Sequence, residues 1–138
     1  MSTLKSNQNI TPFLWFDGQA EEAMELYSSI FPNSAITLKK YWGAGSPFPS
    51  NWVMAGAMVI DGLKIHLFDA GPLFKFTEAI SLFVTCNTQQ EVDDYWNKLT
   101  EGGSESNCGW LKSALWKPPM RFWKRNTGRN GMSVSRGP

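Results

Sequence analysis

The feature that most restricts this chain is a plan that occurs twice. The string ITPFLWF, residues 10–16, is an aromatic-rich apolar run too short for a helix. It reads as a strand, with Pro12 near its start or on an edge. In DGQAEEAMELYSSIF, which follows, Ala20, Ala23, Met24, Tyr27, Ile30 and Phe31 recur at helical spacing. Asp17 is placed to cap the open amides, Glu21 and Glu22 favour the positive end of the helix dipole, and Pro32 stops the helix, so residues 19–31 are expected to be helical. The same order returns in AISLFVTCNTQQEVDDYWNKLTEGG. Residues 80–86 make the strand, Thr88 with Glu91 has capping-box spacing, Val92, Tyr95, Trp96 and Leu99 form the buried stripe of a helix over 88–100, and Gly102 and Gly103 end it. The helices align residue by residue, Ala23 on Val92, Tyr27 on Trp96 and Ile30 on Leu99, each pair 69 positions apart.

Between the two units lie three more strand candidates, residues 35–42, 52–60 and 63–69. An Asp-Gly pair joins the last two, a strong tight-hairpin signal, and the Gly/Pro-rich GAGSPFPSN precedes them. The first half therefore reads β-α-β-β-β, and SESNCGWLK should begin a matching set in the second. The expected fold class is α+β, tandem β-α-β-β-β halves with altered or incomplete closing strands in the second. At 138 residues the chain is expected to be a single domain, with a first half over about 10–72, a second over about 79–123 and a basic tail over about 112–138.

No apolar run approaches the ~18 residues needed to cross a bilayer, and MSTLKSNQNI lacks a signal-peptide core, so a cytoplasmic location is expected. Cys86 and Cys108 have no C-x-x-C spacing and suit a reducing compartment. Charge is unevenly divided: Lys112 onward holds seven Lys or Arg and no acid, while the part before it holds six basic and all twelve acidic residues. The tail interleaves these cations with Trp116, Phe122 and Trp123, the minimal description of a single-strand nucleic-acid surface. A net charge of +1 gives no global reason to seek phosphates, so nucleic acid is the alternative partner and not the main expectation. Burying one aromatic ring is worth about 2 kcal/mol against under about 1 kcal/mol for an exposed ion pair. The tail is therefore expected to pack its rings, substituting for the closing strand, on this chain or across a homodimer interface.

TPFLWFDGQAEEAMELYSSIFPNS, DAGPLFKFTEAISLFVTC, and EVDDYWNKLTEGG followed by CGWLK resemble the PhnB-like branch, labelled 3-demethylubiquinone 3-methyltransferase-like, of the vicinal oxygen chelate (glyoxalase/bleomycin-resistance) superfamily. The resemblance covers about residues 10–112. It implies halves that curl into cups, with paired cups enclosing a ligand site. Asp69-Ala70-Gly71-Pro72 stands where that branch usually has Asn or Asp before Gly-Gly-Pro. After Lys112 the text SALWKPPMRFWKRN replaces the branch's Asp, aromatic-Gly pair and Trp-Gln strand, so the resemblance lapses where the second cup should close.

Metal-dependent members of that superfamily bring His, Glu or Gln from the first and last strands of each half onto a divalent ion. This chain has one histidine, His66. Its first strand offers Phe13, Leu14, Trp15 and Phe16, and the matching strand only Ser81, Thr85 and Cys86, so no metal and no cofactor is expected. The methyltransferase label finds no support in the residues, because a glycine-rich strand-to-helix loop for a nucleoside cofactor is missing. By alternation His66 shares a face with Lys64 and Phe68, while Ile65, Leu67 and Asp69 take the other. His66 is the candidate general base or hydrogen-bond donor. The candidate ligand contacts are Phe13, Trp15, Trp42, His66, Phe68, Asp69 and Trp110, a set suited to a flat or apolar small molecule. For Asp69 a turn-initiating role before Ala-Gly-Pro competes with ligand contact. An enzyme and a ligand-sequestering protein of the bleomycin-resistance kind both remain open.

Overall fold

The expected elements form, trimmed at their ends. The computed structural model divides the chain into two units, Met1–Phe74 and Lys75–Pro138. It describes residues 8–75, 79–101, 104–105, 110–112, 120–125 and 132–134.

In the first unit, β1 (Phe13–Phe16) leads into α1 (Ala20–Ile30), followed by β2 (Ala35–Tyr41), β3 (Val53–Ile60) and β4 (Leu63–Asp69). The sheet order is β1-β4-β3-β2, with β1 parallel to β4 and the other pairs antiparallel. Pro12 precedes β1, on an outer edge of this sheet, and only its carbonyl is used, accepting from the His66 amide at 2.9 Å. Asp61 and Gly62 turn the β3–β4 hairpin with φ of +46° and +85°, the paired left-handed geometry that suits Asp-Gly. One face of the sheet carries α1. Leu14, Phe16, Met58, Ile65 and Leu67 are buried with Ala23, Met24 and Tyr27 of the helix. Gly56 lets the layers approach, since a Cβ there would meet Leu67 O at 3.0 Å and the Met24 side chain at 3.1 Å. On the same side Lys39 reaches Glu21 at 2.8 Å and Glu25 at 3.8 Å, and the Tyr41 hydroxyl donates to Glu21, tying the edge strand β2 to α1. The Glu21 carboxyl is held below its ordinary value by its hydrogen bonds to Lys39 and Tyr41.

The start of α1 departs from expectation. Its N-cap residue Gln19 makes no side-chain cap, and Asp17 is not the capping group. Instead the buried carboxylate of Asp69, at the end of β4, accepts from the amides of Gly18 at 2.9 Å and Ala20 at 3.0 Å through Oδ1, and from that of Val53 at 2.9 Å through Oδ2. One side chain thus joins three elements.

The second unit runs β5 (Leu82–Cys86), α2 (Gln89–Thr100), β6 (Ser104–Glu105), β7 (Trp110–Lys112), β8 (Met120–Arg125) and β9 (Met132–Val134). Its sheet order is β5-β8-β7-β6, with β5 parallel to β8 and β8 antiparallel to β7, so the topology of the first unit is reproduced. The basic stretch 120–125 supplies the closing strand, and β9 adds a pairing at Trp123–Arg125. β6 and β7 are short, at two and three residues, which is the altered form of this half. Of the tail aromatics, Phe122 and Trp123 lie in β8, opposite Val84 and Thr85, while Trp116 and Cys108 lie outside the described residues, as do Gly102 and Gly103.

The repeat slips by one residue between helix and strand. α1 and α2 begin 69 positions apart, but β1 is joined to its helix by three residues and β5 by two. Cys86, 1% exposed, therefore takes the place of Phe16, and Lys124 stands opposite it where Asp69 stands opposite Phe16. Lysine has no acceptor, so it cannot repeat the Asp69 cap. α2 is capped locally, Thr88 Oγ1 accepting from the Glu91 amide at 3.1 Å.

Candidate ligand-binding face

The face of the first sheet turned away from α1 gathers four of the seven candidate residues. Phe13 and Trp15 project from β1 and His66 and Phe68 from β4, in the registers Phe13↔His66 and Trp15↔Phe68. Their rings form a continuous series: His66 to Phe13 at 6.3 Å, Phe13 to Phe68 at 4.7 Å, Phe68 to Trp15 at 5.0 Å and Trp15 to Phe74 at 4.8 Å. Edge-to-face and tilted contacts at these distances are the favoured geometries of aromatic pairs. The Trp15 indole N–H donates to the Gly71 carbonyl at 2.8 Å, which fixes the ring and leaves its apolar surface to the face. Phe13 is 67% exposed, a large apolar ring left open to solvent.

Beside this wall the central strand is low. Ala57 lies opposite His66 on one side and Leu38 on the other, so Phe13, His66, Ala57 and Leu38 form one row across all four strands. Ala55, opposite Lys40, continues the floor. Two methyl groups between the aromatic wall and the side chains of β2 make a shallow trough about two strand spacings, roughly 10 Å, across. Sequence reading missed Ala55, Ala57, Leu38 and Lys40, because a small residue carries no signal until pairing register shows what flanks it. The signal present was the run of three small residues, Ala55, Gly56 and Ala57, inside VMAGAMVI.

The remaining candidates fall elsewhere. Trp42 belongs to a second cluster, packed on Phe48 at 5.0 Å, which in turn stacks on Trp52 at 5.8 Å. It is joined to the wall through the Asp69–Gly71 segment, its indole donating to the Asp69 carbonyl at 2.7 Å. Asp69 points to the helix side, and its carboxylate is committed to the three amides above. Neither the ligand contact nor the turn-initiating role matches that position. Trp110 lies in β7 of the second unit, opposite Arg121.

A divalent metal is a poor fit to these residues. His66 is the one imidazole on the face, and no acid occupies an open-face position of the four strands. Among the described residues no three His, Cys, Asp or Glu come together. Likewise no described helix is long and apolar enough to cross a membrane.

The model of the family described as 3-demethylubiquinone-9 3-methyltransferase matches residues 8–115. The chain belongs to that family. A putative 3-demethylubiquinone-9 3-methyltransferase, PhnB protein, from Bacillus cereus is similar to it at 30% identity and a TM-score of 0.75, over 83% of this chain and 99% of that one. A fosfomycin resistance protein, FosX, from Listeria monocytogenes superposes with a TM-score of 0.59 at 13% identity, over 83% and 90% of the two chains. A glyoxylase/bleomycin resistance protein/dioxygenase domain from Frankia sp. does so at 0.53 and 14%, over 87% and 97%. At such identities these two show the fold alone, and that fold is the one the tandem repeat implied. Among curated proteins none matches.

Proposed function

We propose that this member of the family binds a small organic molecule on the open face of its first sheet, with Phe13, Trp15 and Phe68 as the wall, Ala55 and Ala57 as the floor and no resident metal. The carrying observation is the unbroken ring series beside a floor of two alanines, an arrangement that offers flat apolar surface where a sheet would otherwise be evenly covered. Binding sites for small molecules are mostly apolar, with a few placed polar groups, and His66 is the group placed here. With one imidazole and two exposed lysines on the face and no acid there to pair with them, the geometry favours holding a ligand over transforming it. Methyl transfer is not part of this reading, because the amides of Gly18 and Ala20 in the β1–α1 turn are occupied by Asp69 and do not present an anion-binding loop. The nucleic-acid alternative gains no support from a tail segment that is paired as a strand.

Screening a fragment library by methyl NMR tests this. Hits should shift the Ala55 and Ala57 methyl signals and should survive dialysis against EDTA. A library whose hits all avoid that face, or bind only with added divalent metal, would overturn the proposal.

A further inference from the structure

Charge in the first unit is sorted by face. Its six acids are Asp17, Glu21, Glu22, Glu25, Asp61 and Asp69. Three lie on α1, Asp69 is buried on the helix side, and Asp17 and Asp61 lie in turns. The open face carries only the opposite sign. Lys64 on β4 is exposed there next to His66, and Lys40 on β2 is exposed at the other end of the trough, opposite Ala55. Their neighbour Lys39 shows the contrast: turned to the helix side, it is paired with Glu21 and Glu25. No described residue forms an ion pair with Lys40 or Lys64, and none hydrogen-bonds the His66 imidazole. The backbone of Lys64 is nevertheless fixed, its N–H and C=O both bonded to the Gln8 side-chain amide at 2.9 and 2.7 Å. Lys64 and His66, two apart on one strand, stand about 7 Å from each other. That spacing suits a single carboxylate or similar group held between them.

Resting on the binding face proposed above, we infer that its ligand is a planar aromatic anion, its ring against Phe13, Phe68 and Trp15 and its charge between Lys64 and His66. Ring faces and edges satisfy a flat π-system, an imidazole always has at least one N–H to donate, and two uncompensated ammonium groups select negative charge. A neutral ligand would leave the cations unused, and a cationic one would be repelled. The pattern recurs in the second unit, where β5 and β8 place Phe83 opposite Arg121 as β1 and β4 place Phe13 opposite His66. A phenyl on the first strand facing a basic residue on the closing strand is thus common to both halves, although the surrounding sequence is not.

The full chain should be titrated with naphthoate, naphthylmethanol, naphthylmethylammonium and cyclohexanecarboxylate, following the Ala55 and Ala57 methyl signals. Naphthoate should bind more tightly than its neutral and cationic isosteres and than the non-aromatic acid. Lys64→Gln, a surface change that leaves the fold intact, should weaken naphthoate about fivefold, the scale of a partly exposed ion pair, Lys40→Gln at the far end should weaken it less, and both should leave naphthylmethanol unchanged. Added salt should weaken the two carboxylates and leave naphthylmethanol unchanged. If naphthylmethanol or the ammonium compound binds this face as tightly as naphthoate, the anion inference is overturned while the binding face stands. If cyclohexanecarboxylate equals naphthoate, the aromatic part is overturned. If none of the four moves those methyl signals, the face itself is wrong as well.

Discussion

Asp69 holds the first unit together through one carboxylate, because among the described residues no other side chain satisfies the amides it meets. Gly18, Ala20 and Val53 each direct an N–H at it, from the turn before α1, the first residue of α1 and the start of β3. Asp69→Asn keeps one accepting oxygen but turns an amide donor toward either Val53 or the Gly18–Ala20 pair. A buried amide left facing a donor costs its full desolvation, so the variant should lose about 3 kcal/mol of unfolding free energy, measurable as a fall in the urea midpoint. An unchanged midpoint would show that the carboxylate is not the junction. Little of this was legible in sequence, because Asp69 lies some fifty positions beyond the turn it caps and nothing local in DAGP signals it. Asp17 was the obvious cap by position, yet proximity in sequence lost to the register of β1 on β4. Phe13, Trp15, His66 and Phe68 were legible for the opposite reason. Period-two alternation within a strand is a local property, and it survives whatever the strand pairs with.

At the scale of elements, the two helices and five of the strands could be read from apolar spacing and punctuation, because stop signals such as Pro32 and Asp61-Gly62 act on their own neighbours. The face of the trough could not, since its floor depends on which residues of β3 lie opposite β4. Gly56 belongs to the same unread layer. Its backbone needs no left-handed angle, so the reason for glycine there is space alone: an added Cβ meets the Leu67 carbonyl oxygen at 3.0 Å, which is sheet backbone and cannot swing aside, and Met24 at 3.1 Å. Gly56→Ala should push α1 off the sheet and cost about 1–3 kcal/mol, the usual scale of overpacking. Differential scanning calorimetry would detect it as a lower Tm. A Tm equal to the parent's would mean that the helix yields without loss and that packing there is slack.

For the molecule as a whole, the question is what the basic end contributes. The second sheet has β8 at its centre: β5 pairs along one edge of it, and β7 and β9 share the other. Five of its six residues, Met120 to Lys124, are matched one for one with Leu82 to Cys86, so β5 has no other described partner. The interleaving of cations and rings left an outward role on phosphates as the alternative, whereas the order of strands points inward, to the expected closure of a repeat that the first unit already displays. Ring burial outweighing exposed ion pairs already favoured a closing role for the tail in sequence, but the counterpart of β4 could be located only through register, which sets Met120-Arg121-Phe122-Trp123 on Ile65-His66-Leu67-Phe68. Ending the chain after Lys112 removes β8 and β9 together. The amides of Leu82–Cys86 should then exchange with solvent at rates near those of an open chain, and α2, which packs on β5, β7 and β8, should lose protection with them. Hydrogen-exchange mass spectrometry of the truncated and full chains reads both segments directly. Full protection of β5 in the shortened chain would show that the basic end is an appendage, free to serve another partner, and not the strand that closes the second half.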